Sequence, residues 1–208
     1  MKKAIFLIDG FNLYHSLTNP GNYPAPLDNY KWLNLYKMAE VLKQPQDILT
    51  SVIYFTSLCT WDDLKRERHT LFIRALKHYN VEVVLGKFKE VERTCRAICK
   101  KTFKTFVEKQ TDVNIAIYLL SLAFRNKFDN IYLMSGDSDL IPAVKEIKKL
   151  FTDKKIILVL PPGQFASELR ENCDSIIQIK EHHLASCQME NIITNKYGKV
   201  IACPEEWI

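Results

Sequence analysis

Short apolar runs alternate along the chain with longer segments in which apolar residues recur at helical spacing. The short runs are typical of strands buried on both faces, and the longer segments are typical of amphipathic helices. Strands are predicted over 3–8, 48–58, 81–88, 130–135, 156–160 and 176–179, and helices over 32–42, 61–79, 113–124, 140–150 and near Glu168. This alternation predicts an α/β fold of three layers, in which a central parallel sheet carries helices on both faces.

Three parts of the chain depart from this regular pattern. A polar loop containing Pro20, Pro24 and Pro26 is predicted after the first strand, and 86–109 is an irregular basic insert. Residues after 184 show no periodicity, so we expect one domain over 1–184 and a C-terminal tail, 185–208, packed on it. Arg68 falls on the apolar stripe of the helix over 61–79, so its charged end must reach solvent or find an acidic partner.

The composition is that of an ordinary globular protein, with 47% hydrophobic and 25% charged residues, which excludes disordered, collagen-like and coiled-coil classes. The net charge of +5 permits a polyanionic partner without demanding one. No apolar run approaches the length of a membrane span, so no membrane partner is expected. The apolar run at 4–8 is too short for a secretory signal. We therefore expect a cytoplasmic protein whose six cysteines are reduced.

Four aspartates follow strands or begin helices. Asp9 ends the first strand, Asp137 and Asp139 follow the strand over 130–135, and Asp112 stands at the start of a helix. Because the carboxyl ends of parallel strands meet at one edge of a sheet, we expect these four side chains to converge there.

Helix capping is the alternative explanation for some of these residues. Asp137 or Ser138 could cap the helix that has Pro142 in its first turn, and Thr111 could cap the helix that Asp112 enters. Asp9 has no predicted helix directly after it, so capping does not explain its position.

Converging carboxylates stay ionised together only if cations neutralise them. Hard oxygen ligands, with the neutral side chains of Asn12 and Ser135 between them, suit Mg²⁺ or Mn²⁺ rather than Zn²⁺. Such a centre can activate water and neutralise the charge that develops on a phosphodiester. The residues therefore predict phosphoryl-transfer chemistry, most economically hydrolysis.

Three segments, at 8–12 (IDGFN), 108–116 (EKQTDVNIA) and 135–140 (SGDSDL), resemble the signature blocks of the NYN-domain family, a branch of the PIN-like nucleases. The resemblance extends over about residues 1–182 and is strongest to the bacterial LabA-like members. It implies a PIN-like, Rossmannoid fold and a metal-dependent ribonuclease that uses Mg²⁺ or Mn²⁺. By this similarity the catalytic and metal-binding acids are Asp9, Asp112, Asp137 and Asp139, with Asn12 and Ser135 as polar support.

One position departs from the family pattern. Tyr118 lies two turns into the predicted helix over 113–124, at a position where the family often carries an aspartate. If that aspartate contributes to the metal site, activity is expected to be reduced or altered in this chain.

The alternative function is a noncatalytic PIN-like module that binds RNA or a protein partner as a regulator and retains the site without turnover.

The basic insert is predicted to contact RNA. Lysines can neutralise phosphates, and interleaved aromatic side chains can stack on unpaired bases, as in single-stranded RNA. We favour packing for Phe88, Phe103 and Phe106, with a solvated hairpin as the alternative for the whole insert. The predicted RNA-binding residues are Lys87, Lys89, Lys100, Lys101, Lys104 and Lys109.

Cys95 and Cys99 lie within this insert, where the resembling family often has a Cys-x-x-Cys pair that forms half of a zinc knuckle. A structural Zn²⁺ needs four ligands, and this chain has a wider gap and no second pair nearby. We therefore expect free thiols rather than a structural Zn²⁺ site. The remaining candidate ligands are Cys187, Cys203, His182 and His183.

Overall fold

A computed structural model describes residues 1–19, 27–95, 99–194 and 198–208. Its strands are β1 (Lys2–Asp9), β2 (Asp47–Thr56), β3 (Glu82–Leu85), β4 (Lys87–Thr94), β5 (Thr102–Lys109), β6 (Asn130–Met134), β7 (Lys155–Leu160), β8 (Ser175–Gln178), β9 (Ile192–Thr194) and β10 (Val200–Ala202). Its helices are α1 (Gly10–Thr18), α2 (Leu35–Leu42), α3 (Asp63–His78), α4 (Thr111–Phe124), α5 (Ile141–Leu150), α6 (Ser167–Asn172) and α7 (Glu181–Ser186). Within these ranges no helix has the length and apolar character needed to cross a membrane.

Six strands form the central sheet in the order β3-β2-β1-β6-β7-β8, and every neighbouring pair is parallel. This arrangement confirms the predicted α/β fold with a central parallel sheet. The direction of winding reverses between β1 and β6. In open α/β sheets, this switch point at the carboxyl ends of the strands is where ligands bind.

Apolar side chains cover both faces of the sheet. On one face Phe6 stacks on Tyr132, with ring centroids 4.3 Å apart, beneath α1, α2, α3 and α7. On the other face Leu7 and Leu133 pack against α4, α5 and α6. Burial on both faces explains why the strands are nearly continuous apolar runs in the sequence.

The polar loop predicted directly after the first strand is wrong for residues 10–18, because α1 begins there. Leu13 and Leu17 are four residues apart and buried, so the helix has a narrow apolar stripe within a largely polar segment. The prolines at 20, 24 and 26 lie outside the described residues.

The single strand predicted over 81–88 is also wrong, because β3 ends at Leu85 and a separate strand, β4, begins at Lys87. Gly86 separates them, and a Cβ there would come within 2.6 Å of Ser57 Oγ and 2.8 Å of the Lys109 carbonyl oxygen. β4 and β5 pair antiparallel as a two-stranded sheet of their own. The basic insert therefore forms a hairpin, called the β4–β5 hairpin below.

The C-terminal segment contributes to the core despite its lack of periodicity. Ile193 on β9 and Ile201 on β10 are buried, and the Trp207 ring lies 6.2 Å from that of Trp32. Glu206 accepts from Arg68 at 2.9 Å, so of the two alternatives for this arginine the structure shows the acidic partner.

Gly10→Ala is expected to lower the free energy of unfolding by about 1–3 kcal/mol. The added Cβ would lie 2.6 Å from Tyr54 Cζ and Oη and 2.7 Å from the backbone oxygen of Phe55, so α1 must shift. Gly136→Ala is the matched comparison. Its nearest neighbours are side-chain oxygens of Asn12 and Gln164 at 3.1 and 3.2 Å, which can move. Urea unfolding should show the larger loss for Gly10→Ala, and an equal or smaller loss would contradict this account.

Candidate functional site

Asp9 joins β1, α1 and the loop after β6. Its side chain caps α1, with Oδ1 accepting from the backbone N–H of Asn12 at 3.0 Å. Its other oxygen, Oδ2, accepts from the Ser135 hydroxyl at 2.9 Å. The expectation that no helix needs Asp9 is therefore wrong, because α1 begins at the next residue. The carboxylate is buried, with 3% of the residue exposed, and both of its oxygens have partners.

Asn12 and Ser135 hold the loop after β6 in place. The Asn12 side-chain oxygen accepts from the Gly136 N–H at 3.0 Å, and the Ser135 hydroxyl accepts from the Asp137 N–H at 3.1 Å. Asp137 in turn accepts from the Asp139 N–H at 2.9 Å and caps a short 3₁₀ turn. These bonds fix Asp137 and Asp139 beside Asp9, at the switch point of the sheet.

Glu108 fixes the start of α4. One oxygen of its carboxylate accepts from the Ser57 hydroxyl at 3.0 Å, from the Thr111 N–H at 3.3 Å and from the Thr111 hydroxyl. Thr111 thus donates to Glu108 and does not cap the helix, as the sequence had suggested it might. Gln110, in the left-handed region with φ +81°, connects β5 to α4. Asp112, in the first turn of α4, therefore joins the site from a different part of the chain than Asp9 and Asp137 do.

The structure brings the predicted acids together. Carboxylate oxygens of Asp112, Asp137 and Asp139 lie within 4.8 Å of one another. Asp9, the fourth predicted metal ligand, is not part of this cluster, although it lines the same cavity as Asp112 and Asp137. A cavity of about 250 Å³, called the acidic cavity below, opens at this point. It is lined by Asp9, Phe11, Asn12, His15, Glu108, Thr111, Asp112, Asp137 and Gln164.

The negative charge in the acidic cavity is not balanced by the protein. Burial, followed by the carboxylates of Asp137, Asp9, Glu108 and Asp139, raises the pKa of Asp112 to about 6. Burial also raises the pKa of Asp9, because it outweighs the hydrogen bonds from Asn12 and Ser135. Among the described residues, no lysine, arginine or histidine forms an ion pair with the four aspartates. This all-oxygen set of uncompensated carboxylates fits a hard divalent cation.

Asp112→Asn is expected to stabilise the protein at pH 7 in the presence of a chelator. The folded-state pKa of Asp112 is about 6, above its ordinary value of 3.8, so the folded protein holds this proton more tightly than the unfolded chain does. The parent protein therefore loses stability as the pH rises from about 4 to 6, and the asparagine variant avoids that loss. The gain is on the order of 1 kcal/mol after screening by solvent.

Urea unfolding at pH 4 and pH 7 measures this gain, which should be present at pH 7 and absent at pH 4. Asp153→Asn is the control, because Asp153 is an exposed aspartate on the α5–β7 turn. Equal effects of the two substitutions at pH 7 would contradict the destabilisation assigned to burial of the Asp112 charge among other carboxylates.

Five residues of the acidic cavity are not among the site residues predicted from the sequence: Phe11, His15, Glu108, Thr111 and Gln164. Glu108 lies in the second signature block, three residues before Thr111, and Gln164 follows β7, the next strand end along the same edge. Residues that follow parallel strands meet at one edge of the sheet, so the reasoning that predicts the position of Asp137 also predicts that of Gln164. Nothing in the sequence marked His15, because the helix that carries it was not predicted.

Tyr118 contributes no group to the acidic cavity. Its hydroxyl donates to Glu82 at 3.2 Å, and its ring packs edge-on against Phe55 at 5.2 Å. The departure from the family pattern thus places a tyrosine beside β3, away from the cluster of aspartates.

The β4–β5 hairpin has two chemically different faces. Lys87 pairs directly with Lys109, and Lys89 and Arg93 lie on the same face by strand alternation. This basic face carries no acidic residue from β4 or β5, and Phe103, 50% exposed, lies on it opposite Arg93.

The predicted RNA-binding lysines do not form one surface. Lys104 lies on the opposite face of the hairpin, where its ammonium pairs with Glu90 at 2.7 Å. Lys100 and Lys101 are exposed near the tip of the hairpin, before β5 begins. Only Lys87, Lys89 and Lys109 among the predicted residues share the basic face.

The other face of the hairpin packs against aromatic side chains. Trp61 stacks on Phe106, with ring centroids 3.9 Å apart and planes 6° apart, and meets Phe88 edge-on at 4.7 Å. Phe88 also contacts Phe11 at 5.5 Å. Phe88 and Phe106 therefore pack, whereas Phe103 does not.

A second, larger space adjoins the acidic cavity. This aromatic cavity, of about 630 Å³, lies between α1, α3 and the hairpin and shares Phe11 and His15 with the acidic cavity. Its walls include Trp61, Phe72 and Phe88, and C-terminal residues Glu206 and Trp207 close one side.

All six cysteines are free thiols, and the four that were weighed as zinc ligands lie in two separate regions. Cys95 and Cys99 lie at the tip of the hairpin, with the residues at 96–98 outside the described ranges. Cys187 and Cys203 are buried in the core beneath α2 and α7, and the His182 and His183 rings contact each other on α7.

Comparison with known proteins gives a family and several relatives. The NYN domain model matches residues 3–180. The chain is 25% identical to 6-hydroxy-3-succinoylpyridine 3-monooxygenase HspA of Pseudomonas putida over 242 aligned residues, covering 96% of this chain and 73% of the relative. It is 30% identical over 90 residues to an uncharacterised protein of Methanocaldococcus jannaschii, covering 43% of this chain and 37% of that protein.

The fold is shared with solved structures. The crystal structure of a protein of unknown function from Vibrio parahaemolyticus matches with a TM-score of 0.58 and 19% identity, covering 86% of this chain and 94% of that chain. The family match extends over most of the chain and includes all three segments that form the acidic cavity. The chain therefore belongs to the NYN domain family, within the PIN-like nuclease superfamily.

Proposed function

We propose that this protein is a ribonuclease that hydrolyses phosphodiester bonds of RNA at the acidic cavity, with Mg²⁺ or Mn²⁺ as its cofactor. The observation that carries the proposal is the meeting of Asp112, Asp137 and Asp139 within 4.8 Å at the switch point of a NYN-domain sheet. Their charges are uncompensated, so a cation is the natural occupant.

The three clustered carboxylates would hold the cation, and Asp9 lines the same cavity. When bound, such a cation polarises the phosphodiester and neutralises the charge that develops on it. The protein's own residues orient these groups. Ser135 links Asp9 to Asp137, and Asn12 fixes the loop that carries Asp137. Because the scaffold positions the acids before substrate arrives, little reorganisation is needed at the moment of reaction.

Cation affinity is expected to fall below pH 6. Protons compete with the cation for the Asp112 carboxylate, whose pKa is about 6, so the charged form that binds metal becomes scarcer as the pH decreases. The dissociation constant for Mn²⁺ should rise by up to about tenfold per pH unit below 6 if one proton is displaced. Titration calorimetry at pH 5 and pH 7 measures this change, and equal affinities at both pH values would remove Asp112 from the ligand set.

The basic face of the hairpin would guide the RNA to the acidic cavity. Lys87 and Lys109 lie at the base of the hairpin, and Lys109 adjoins Glu108, which lines the cavity. Directly paired lysines repel each other, and a phosphate between them relieves that repulsion. The exposed Phe103 on the same face offers a ring on which an unpaired base can stack, which favours single-stranded RNA.

A second candidate function is oxygenation of a small heteroaromatic compound. The relative from Pseudomonas putida is named as a monooxygenase of a substituted pyridine and aligns with 96% of this chain. The aromatic cavity next to the carboxylates is the observation that favours this alternative, because its volume of about 630 Å³ suits a small molecule. A monooxygenase reaction consumes O₂ and needs a reductant, so it is separable from hydrolysis by experiment.

The two functions are tested with one preparation of the purified chain. One reaction contains end-labelled single-stranded RNA with Mg²⁺ or Mn²⁺, and a second contains a hydroxypyridine carboxylate with NADH under air. We expect shortened RNA in the first, no RNA products after chelation, and no O₂ consumption above background in the second. Substrate-dependent O₂ uptake without RNA cleavage would establish the second candidate instead. Stable RNA binding without turnover in either reaction would indicate a regulatory module.

A further inference from the structure

The aromatic cavity has the features of a binding site for a planar ring. Trp61 remains 44% exposed although it stacks on Phe106, so the tryptophan is held rigidly and still presents ring surface to the cavity. Phe72 and Phe88 supply further aromatic walls. Its volume of about 630 Å³ lies within the range of small-molecule sites, which reach about 1,000 Å³.

Polar groups in the cavity suit the edge of a heteroaromatic ring. His69 Nε2 lies 3.2 Å from the Thr56 hydroxyl, and burial lowers the pKa of His69 to about 4. The imidazole is therefore neutral at pH 7, and because Nε2 is paired with Thr56, its other ring nitrogen is the group it can offer a ligand. The Ser57 hydroxyl also lines the cavity, and although it donates to Glu108, its oxygen can still accept. Neutral donors and acceptors at fixed positions bind the edge of a base without the cost of burying a charge.

Cations at the rim suit the phosphate attached to such a ring. Lys65 and Arg68 both line the cavity. Lys65 forms only a loose, exposed ion pair with Asp62 at 3.6 Å, and such surface pairs contribute about 0–1 kcal/mol. The lysine is therefore available to a phosphate at little cost. Arg68 is bound to Glu206 at 2.9 Å and acts as part of the wall.

We propose that the aromatic cavity binds one base of the RNA strand while the neighbouring phosphodiester occupies the acidic cavity. The two cavities share Phe11 and His15, so adjacent groups of one strand can occupy both. The proposal rests on the proposed function for its choice of RNA. A free nucleotide offers the same chemistry, a planar heteroaromatic ring with an anionic group, and the test separates the two sources.

Binding of single-stranded RNA is measured by fluorescence anisotropy with Ca²⁺ in place of Mg²⁺. Trp61→Ala is expected to weaken binding about 5- to 150-fold, which is the loss of one stacked base. Trp61→Phe keeps a ring at this position and should restore most of the affinity. Phe124→Ala is the matched control, because Phe124 is 66% exposed at the far end of α4 and lines neither cavity. Its binding should equal that of the parent protein.

A double-mutant cycle assigns the lost affinity to one base. RNA with a single abasic nucleotide is scanned along the strand, and one position next to the cleavage site should weaken binding to the parent protein as much as Trp61→Ala does. The same abasic RNA should bind the Trp61→Ala variant without further loss, because both changes remove one contact. In cleavage assays the variant should raise KM and leave kcat nearly unchanged.

The outcomes separate this inference from the proposed function. If the parent protein cleaves RNA and Trp61→Ala binds RNA as tightly as Trp61→Phe does, the inference is overturned and the function stands. If the parent protein does not bind RNA, adenosine monophosphate is titrated while tryptophan fluorescence is followed. Quenching that Trp61→Ala removes would assign the cavity to a free nucleotide, and no quenching would overturn the inference together with the function.

Discussion

Asp137→Asn is expected to lower the rate of RNA cleavage by about 100-fold or more at saturating metal and RNA. Asp137 is one of the three clustered carboxylates, and its charge raises the pKa values of both Asp9 and Asp112. An amide can coordinate a cation weakly but cannot neutralise it. In the Asp137→Asn variant the side-chain oxygen can still accept from the Asp139 N–H, so the 3₁₀ turn should persist. Because the substitution also removes one charge from the carboxylate cluster, the stability of the protein should stay the same or rise.

Single-turnover cleavage and thermal unfolding of the same preparations test this separation of rate from stability. Asp153→Asn, an exposed substitution on the α5–β7 turn, is the control and should match the parent protein in both. Cleavage by Asp137→Asn at the parent rate would show that the acidic cavity is not the reaction centre. Asp9→Asn is less suitable, because an amide keeps only one of the two oxygens that accept from the Asn12 N–H and the Ser135 hydroxyl.

Replacing Lys87, Lys89 and Lys109 together by alanine is expected to reduce the salt dependence of RNA binding. Each phosphate contact on a single strand contributes about 0.7 to the slope of log affinity against log salt, so three contacts contribute about two units. Binding should weaken evenly across RNA sequences, because lysine contacts to phosphates carry no base information. Fluorescence anisotropy in Ca²⁺ over a range of salt concentrations gives the slope for the parent protein and the slope for the triple variant.

Lys104→Ala is the matched control for this triple variant. Lys104 lies on the same hairpin, but on the opposite face and paired with Glu90, so its removal should leave the slope nearly unchanged. An unchanged slope in the triple variant would mean that RNA does not cross the basic face. A slope reduced by Lys104→Ala alone would place the RNA on the other face of the hairpin.

The central sheet could be predicted from the sequence because its strands are buried on both faces. Such strands appear as apolar runs whatever their tertiary partners, and the rule for the carboxyl ends of parallel strands then brings Asp9 and Asp137 together. Asp112 was placed by the resemblance of its block and by its helix start. None of these steps required knowledge of side-chain contacts.

Helix α1, the two faces of the β4–β5 hairpin and the packing of the C-terminal residues could not be predicted, because they depend on contacts between distant segments. The apolar stripe of α1 consists of Leu13 and Leu17, too little periodicity to distinguish a helix from a loop. The two faces of the β4–β5 hairpin appear only once the register pairs Lys87 with Lys109. The C-terminal residues Glu206 and Trp207 find their partners, Arg68 and Trp32, more than a hundred residues away in sequence.

The proposed hydrolysis requires that a cation held by the aspartates contacts the phosphodiester that is cleaved. The most direct measurement compares single-turnover cleavage of a normal RNA with that of an RNA carrying a single phosphorothioate at the cleavage site. Sulfur is a poor ligand for Mg²⁺ and a better one for the softer Mn²⁺. We predict slow cleavage of the phosphorothioate RNA in Mg²⁺ and recovery in Mn²⁺. Cleavage that is insensitive to the sulfur, or that persists in a chelator, would contradict a role for the cation in cleavage.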